Sequence, residues 1–304
     1  MAAASSLKSL LAALAPAVFV VLWATGFIGA KLGLPYAEPG TFLTLRFLVV
    51  VLLMAPLLLV LPDQRLAGWR SAGHVAVVGA LMHGVYLGGV FAAIGRGMPA
   101  GLASLIVALQ PLLTAAVVGP LLGERVRPRQ VLGLLLGLLG VGLVLSGKLA
   151  PGGEGHLFRG FGLDALAFIV AALLGITTAT VYQKRFAQHA PLIGGAVVQY
   201  LAAALVVGLP ALLFESNRVV WSGEFVFAIG WLVLVLSIGA VSLLMLLIRW
   251  GEAAKTASLF YLVPPVTAVI AFLLFDERLG PLALAGMAVT VLGVALVVIR
   301  PHRL

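Results

Sequence analysis

The chain has 304 residues, of which 62% are apolar and only 10% charged, and its mean hydropathy is +1.20. Soluble domains run at about 45–50% apolar and 25% charged, so the composition excludes an ordinary soluble globule. Without cysteine there is neither a disulfide framework nor a thiolate metal site, and the net charge of +9 is spread thinly, without the basic face that nucleic acid requires.

In chain order, nearly uncharged runs predict helices near 10–31, 40–62, 74–95, 98–121, 129–147, 162–182, 190–214, 225–248, 256–275 and 280–299. Each is about 20 residues long, enough to cross a hydrocarbon core of roughly 30 Å at about 1.5 Å per residue. Leu, Ala, Val and Gly dominate without period-two alternation, which argues against a barrel. The first run follows a single Lys8, and its length predicts a retained helix, not a signal peptide.

The Gly-rich connection from Lys148 to Gly160 separates five predicted helices from five, giving halves 1–150 and 151–304. An odd number of helices per half requires the second half to sit upside down. Of the 19 Lys and Arg residues, 12 fall on the side of the N-terminus, 6 on the other, and Arg46 lies within a helix. Positive charge stays inside, so both termini are expected in the cytoplasm.

The halves also share a pattern. Ala103-Ser104-Leu105, Pro111, Glu124-Arg125, Gly133 and Gly140 recur as Ala257-Ser258-Leu259, Pro265, Glu277-Arg278, Gly286 and Gly293. The offset is 154 residues from Ala103 to Ala257 and 153 from Glu124 to Glu277. A period near half the chain length marks two homologous halves. The expected fold is therefore all-α: an integral membrane bundle of ten transmembrane helices built from two inverted five-helix repeats. Inverted repeats of this kind place a substrate site where the halves meet.

With Trp23-Ala24-Thr25-Gly26-Phe27 in the first helix and Arg46-Phe47 in the second, the duplicated pattern resembles the drug/metabolite transporter superfamily, in its ten-helix EamA branch. Within that branch it is most similar to YddG-type exporters of aromatic and other amino acids. The resemblance implies a basket of helices around a central cavity lined by helices 1, 3, 4, 6, 8 and 9. Helices 5 and 10 would lie outside.

Several side chains are candidates for that cavity. His83 and Tyr86 stand three apart on the third helix, and an ionisable group near mid-membrane is a functional candidate by default. A neutral imidazole bonded to a neighbouring helix is the alternative. Gln110 precedes Pro111 in the fourth helix, and Pro264-Pro265 stand at the matching place in the ninth. Proline frees the carbonyl four residues earlier, here those of Val107, Phe260 and Tyr261. Such groups are tolerated in a membrane only against protein or a wet cavity. Trp23 and Tyr261 are placed as aromatic walls, and Ser237 as a hydroxyl, although intramembrane Ser and Thr also bond their own helix. Arg46 lies about two turns from its helix end, so its side chain is expected to snorkel or to pair structurally, while the Arg that the resemblance implies at this place leaves a functional role open. The glycines of the fifth and tenth helices, Gly133, Gly137, Gly140, Gly286 and Gly293, read as close-packing surfaces.

No predicted helix centre carries Asp or Glu, which leaves proton-coupled cation export without its usual carboxylate. No catalytic, nucleotide-binding or cofactor pattern occurs, and no second His or Cys stands one turn from His83 to complete a metal site. The expected function is export of small neutral or zwitterionic metabolites, amino acids including aromatic ones above all, through the cell inner membrane by alternating access. A drug exporter coupled to protons and a non-transporting scaffold or sensor stay open. The expected partners are a small-molecule substrate and the lipid bilayer, with a monomer as the simpler assembly and a homodimer as the alternative.

Overall fold

The computed structural model describes residues 2–114, 128–146, 161–250 and 259–298, with the backbone alone over 2–13 and at a few helix-end positions. The Glu124-Arg125 turn, the Lys148–Gly160 connection with its 150/151 boundary, and Ala257-Ser258 lie outside these residues.

Among the described residues there are ten helical rods and no strand, apart from one isolated bridge between Ala37 and Val219. The rods are α1 (Ala2–Gly33), α2 (Pro39–Met54, with a further turn Leu57–Val60), α3 (Trp69–Gly95), α4 (Ala100–Thr114) and α5 (Pro128–Ser146). They continue with α6 (Leu163–Ala187), α7 (Leu192–Phe214), α8 (Gly223–Gly230, Trp231–Ala240 and Val241–Trp250), α9 (Phe260–Phe275) and α10 (Pro281–Val298). Six are long and apolar enough to cross a membrane: α1, α2, α3, α6, α7 and α8. The other four are apolar but shorter, and α4 and α9 stop where the described residues stop.

Polarity is distributed as lipid demands. Leu52, Leu59, Leu213, Phe214, Leu273 and Leu274 face outward, whereas Thr41, Arg46, Ser104, Thr177, Ser237, Thr267 and Thr290 are buried. Most of these hydroxyls bond their own helix: Ser104 donates to Gly101 O, Thr177 to Leu173 O and Thr267 to Val263 O. That removes the cost of an unpaired donor in an apolar interior.

The packing relates the halves. α2 packs on α7, α4 on α9 and α5 on α10, each beside its own repeat mate, while α3 packs on α6 and α1 on α8. At the α5–α10 seam, a Cβ on Gly293 would come within 2.7 Å of Gly133 O and 2.8 Å of Gly137 N, and one on Gly286 would collide with Gly140 O. The glycines thus let two backbones touch. Position 133 meets 293 and 140 meets 286, so the mates run antiparallel, and the two contacts exchange under the 153-residue shift. α2 and α7 are also antiparallel, since Gly40 meets Ala211 and Thr44 meets Gly208.

One end of the bundle is tied by polar contacts. Glu215, after α7, accepts from Gly40 N (2.8 Å), Thr41 N (2.7 Å) and Thr41 Oγ1 (2.7 Å), capping the first turn of α2. Val220 N donates to Tyr36 O (2.9 Å), and Arg96 pairs with Asp164 at 2.9 Å. Lys31 forms an ion pair with Glu277, whose carboxylate also accepts from Ala100 N at 3.1 Å. The last cluster joins the end of α1, the start of α4 and the end of α9.

Candidate functional site

The site begins with two irregular windings. Within α3, residues Ala80–Val85 form a π-helical turn, and within α8 so do Trp231–Ala240. The two stretches overlap under the repeat shift. Winding of this type is uncommon and often sits at functional positions. In α8 it lets Ser237 Oγ donate five residues back to Leu232 O at 3.0 Å. It also leaves the same oxygen to accept from Arg46 Nη2, on α2, at 3.0 Å.

The matching turn in α3 carries His83, whose Nε2 donates to Gln199 Oε1 on α7 at 3.2 Å. Its ring stacks on Tyr200, 4.5 Å between centroids and 19° between planes. Gln199-Tyr200 is the repeat mate of Arg46-Phe47 at the 153-residue offset, and Tyr200 packs on Phe47 at 5.5 Å. Arg46 reaches Ser237 on α8 and Gln199 reaches His83 on α3, so the two mates make related contacts, one as a cation and one as a neutral amide, although positions 83 and 237 are one residue out of the 153-residue register. Close approach is built in, since a Cβ on Gly79 would collide with the backbone of Gln199.

Arg46 corrects the sequence reading. It neither snorkels nor pairs with an acid: it is 3% exposed, Ser237 holds Nη2, and Nε and Nη1 have no hydrogen-bond partner. Tyr86 and Tyr200 are buried within electrostatic reach of the guanidinium, and His83 lies within the same reach. Every described Asp and Glu lies at a helix end or in a loop, so among the described residues no carboxylate enters this interior.

The remaining predicted residues divide into two further groups. Gln110 Nε2 donates to Thr114 Oγ1 (3.1 Å) and to Thr180 Oγ1 on α6 (3.2 Å), not toward His83. Trp23 is half-buried against Phe260 at 5.0 Å and Phe19 at 5.4 Å, so its ring is held between α1 and α9. Beside Phe260, Tyr261 is buried and its hydroxyl has no hydrogen-bond partner. The structure thus brings His83, Tyr86 and Ser237 together around Arg46, and sets Gln110 on an α4–α6 contact and Trp23 on an α1–α9 contact with Phe260, the chain neighbour of Tyr261.

Both helices are interrupted beside their prolines, and the Phe260 carbonyl departs from the expectation. α4 turns out of helix at Ala108-Leu109 before Pro111, so the interruption precedes the ring. Pro264 and Pro265 sit in the first turn of the segment Val263–Phe275, where a missing N–H costs little. The Phe260 carbonyl is not freed, because Val263 N donates to it across a 3₁₀ turn. The polar cluster also draws on α2 and α7, which the resemblance did not count among the cavity-lining helices: they supply Arg46, Gln199 and Tyr200. The repeat offset, carried to these two helices, was the signal that could have found Gln199.

The comparisons with known proteins agree on a family. The sequence model of the EamA-like transporter family matches residues 7–146 and again 163–299. "Uncharacterized transporter YvbV" of Bacillus subtilis is 28% identical over 296 residues, covering 94% of this chain and 90% of that protein. A "Probable amino-acid metabolite efflux pump" of Salmonella typhimurium is 28% identical, over 90% of each. A "Probable terminal-alkyne amino-acid exporter" of Streptantibioticus cattleyicolor is 29% identical, over 91% of this chain and 90% of that one. One solved crystal structure superposes with a TM-score of 0.60 at 24% identity, over 94% of this chain and 95% of that one, and shows the same fold.

Proposed function

Because the chain belongs to the EamA-like transporter family, we propose that it exports small neutral or zwitterionic metabolites, amino acids including aromatic ones above all, by alternating access across an inner membrane. It is a multi-span membrane protein and a transporter, not an enzyme. The observation that carries the substrate reading is the cluster of Arg46, His83, Ser237, Gln199 and Tyr200, where polar groups from α2 and α3 meet others from α7 and α8 inside an apolar bundle. A buried polar cluster in a membrane interior is costly and marks a solute path. The names of two relatives, an amino-acid metabolite efflux pump and an amino-acid exporter, support the choice of solute.

Counterflow of labelled amino acids in sodium-free liposomes at matched pH tests this. A midplane without Asp or Glu predicts that exchange persists with no ion gradient. Flux of a solute only when a proton gradient is imposed would favour the coupled drug exporter, and no flux of any solute would favour the scaffold.

The same reading divides the chain at 150/151 and puts both termini in the cytoplasm. A reporter fused after Leu304 is expected to signal the cytoplasm and one inserted at Gly152 the outside. Signals from the same side would remove the ten-helix arrangement.

A further inference from the structure

We propose that Arg46 is the anchor for the carboxylate of the transported molecule, and that the substrates are monocarboxylates with an apolar or aromatic body. The proposal rests on the transport reading above and narrows it to one chemical group on one side chain.

A guanidinium carries five N–H donors and stays charged at any physiological pH. In this structure Ser237 takes one donor of Nη2, while the single N–H of Nε and both of Nη1 have no acceptor. The group is nevertheless among the most buried polar side chains of the bundle. Packing alone does not explain such a residue, because an uncompensated buried cation destabilises the fold that holds it. What it lacks is an anion, and among the described residues no Asp or Glu supplies one.

The surroundings select the anion. One cation balances one negative charge, and no other Lys or Arg is described in the interior, which disfavours a phosphate. The planar fork of a guanidinium matches a carboxylate, with two parallel hydrogen bonds. Around it the rings of His83, Tyr86 and Tyr200, with Phe47 packed on His83 and Tyr200, make the surroundings aromatic, which suits an apolar or aromatic body. Its repeat mate, Gln199, accepts from His83 and carries no charge, so only one of the two mates is a cation. That asymmetry gives the site a single place for an acid.

Arg46 also joins the moving parts. It projects from α2 in the first half and is held by α8 in the second, so an anion bound there bridges both.

The test uses the purified full-length chain in detergent, and binding is read as thermal stabilisation. The probes are L-phenylalanine, L-leucine and 3-phenylpropionate, each compared with the corresponding amide. The wild type is expected to bind the acids about tenfold to hundredfold more tightly than the amides, the effect of losing a hydrogen bond to a charged group. In Arg46→Gln the difference should vanish, while the melting temperature without ligand stays level or rises. Arg46→Lys, which keeps the charge without the fork, should retain part of the preference. Acids and amides binding the wild type equally, or neither binding, would overturn the assignment. So would Arg46→Gln holding the acids as tightly as the wild type, or melting well below it in the manner of a structural arginine. If Arg46→Gln cannot be purified, the wild-type comparison and Arg46→Lys decide. Counterflow of a solute without a carboxylate would sink this assignment and leave the transport reading standing. Acid binding dependent on Arg46 without any flux would do the reverse.

Discussion

Gly140→Leu and Gly286→Leu are each expected to abolish recovery of folded protein. A Cβ at Gly140 would collide with Thr290 Oγ1 and the Gly286 carbonyl, and one at Gly286 with the Gly140 carbonyl. The carbonyls are backbone, so no rotamer change relieves the clash, and the seam between α5 and α10 must open along its length. Thr290 Oγ1, which donates to Gly286 O at 2.9 Å inside that seam, would be displaced as well. Overpacking a well-packed contact costs about 1–3 kcal/mol and sometimes more. Here it falls on both helices of a pair that pack chiefly on each other, so the effect should be large. Gly142→Leu is the control, because a Cβ there meets nothing within 4 Å. Size-exclusion profiles in detergent read the outcome: aggregate for the first two, a single peak for the control. A single peak with wild-type melting for Gly140→Leu would mean that the two helices do not touch as described.

These glycines were legible in the sequence for a simple reason. A seven-residue spacing puts Gly133 and Gly140 on one helix face, and the same spacing recurs at Gly286 and Gly293. His83 and Ser237 were legible as polar groups in apolar runs, although nothing in their spacing announced the π-helical turns that aim them. Arg46 was read from its depth and from its place in the family pattern, and depth predicts snorkelling where the neighbours allow it. Close packing of α2 against α7 and α8 does not allow it, and that is a tertiary fact. Gln199 looks ordinary in its own helix and gains meaning only as the mate of Arg46. The prolines misled because the rule for a freed carbonyl assumes a continuous helix, whereas Pro264 and Pro265 open a new segment.

Locking the tied end of the bundle is expected to stop transport. Lys31 and Glu277 form an ion pair, and Glu277 also holds the start of α4 through Ala100 N. Glu277 is the more buried partner, so the contact is screened less than an exposed pair. It fastens α1 and α4 of the first half to α9 of the second. Alternating access requires these parts to separate once per cycle, since the site must open to one side at a time. Both side chains keep some contact with solvent, and ion pairs that do so are weak, so this one can close a path and still release within a turnover.

The chain contains no cysteine, so Lys31→Cys with Glu277→Cys supplies the only two thiols. The decisive measurement is amino-acid counterflow by this double variant in liposomes, before and after a short bifunctional methanethiosulfonate joins the thiols. Joining is verified by mass. The account predicts counterflow in the unjoined protein, its loss to background on joining, and its return when a reducing agent releases the link. Counterflow at an unchanged rate through fully joined protein would contradict a mechanism in which the halves part at this end.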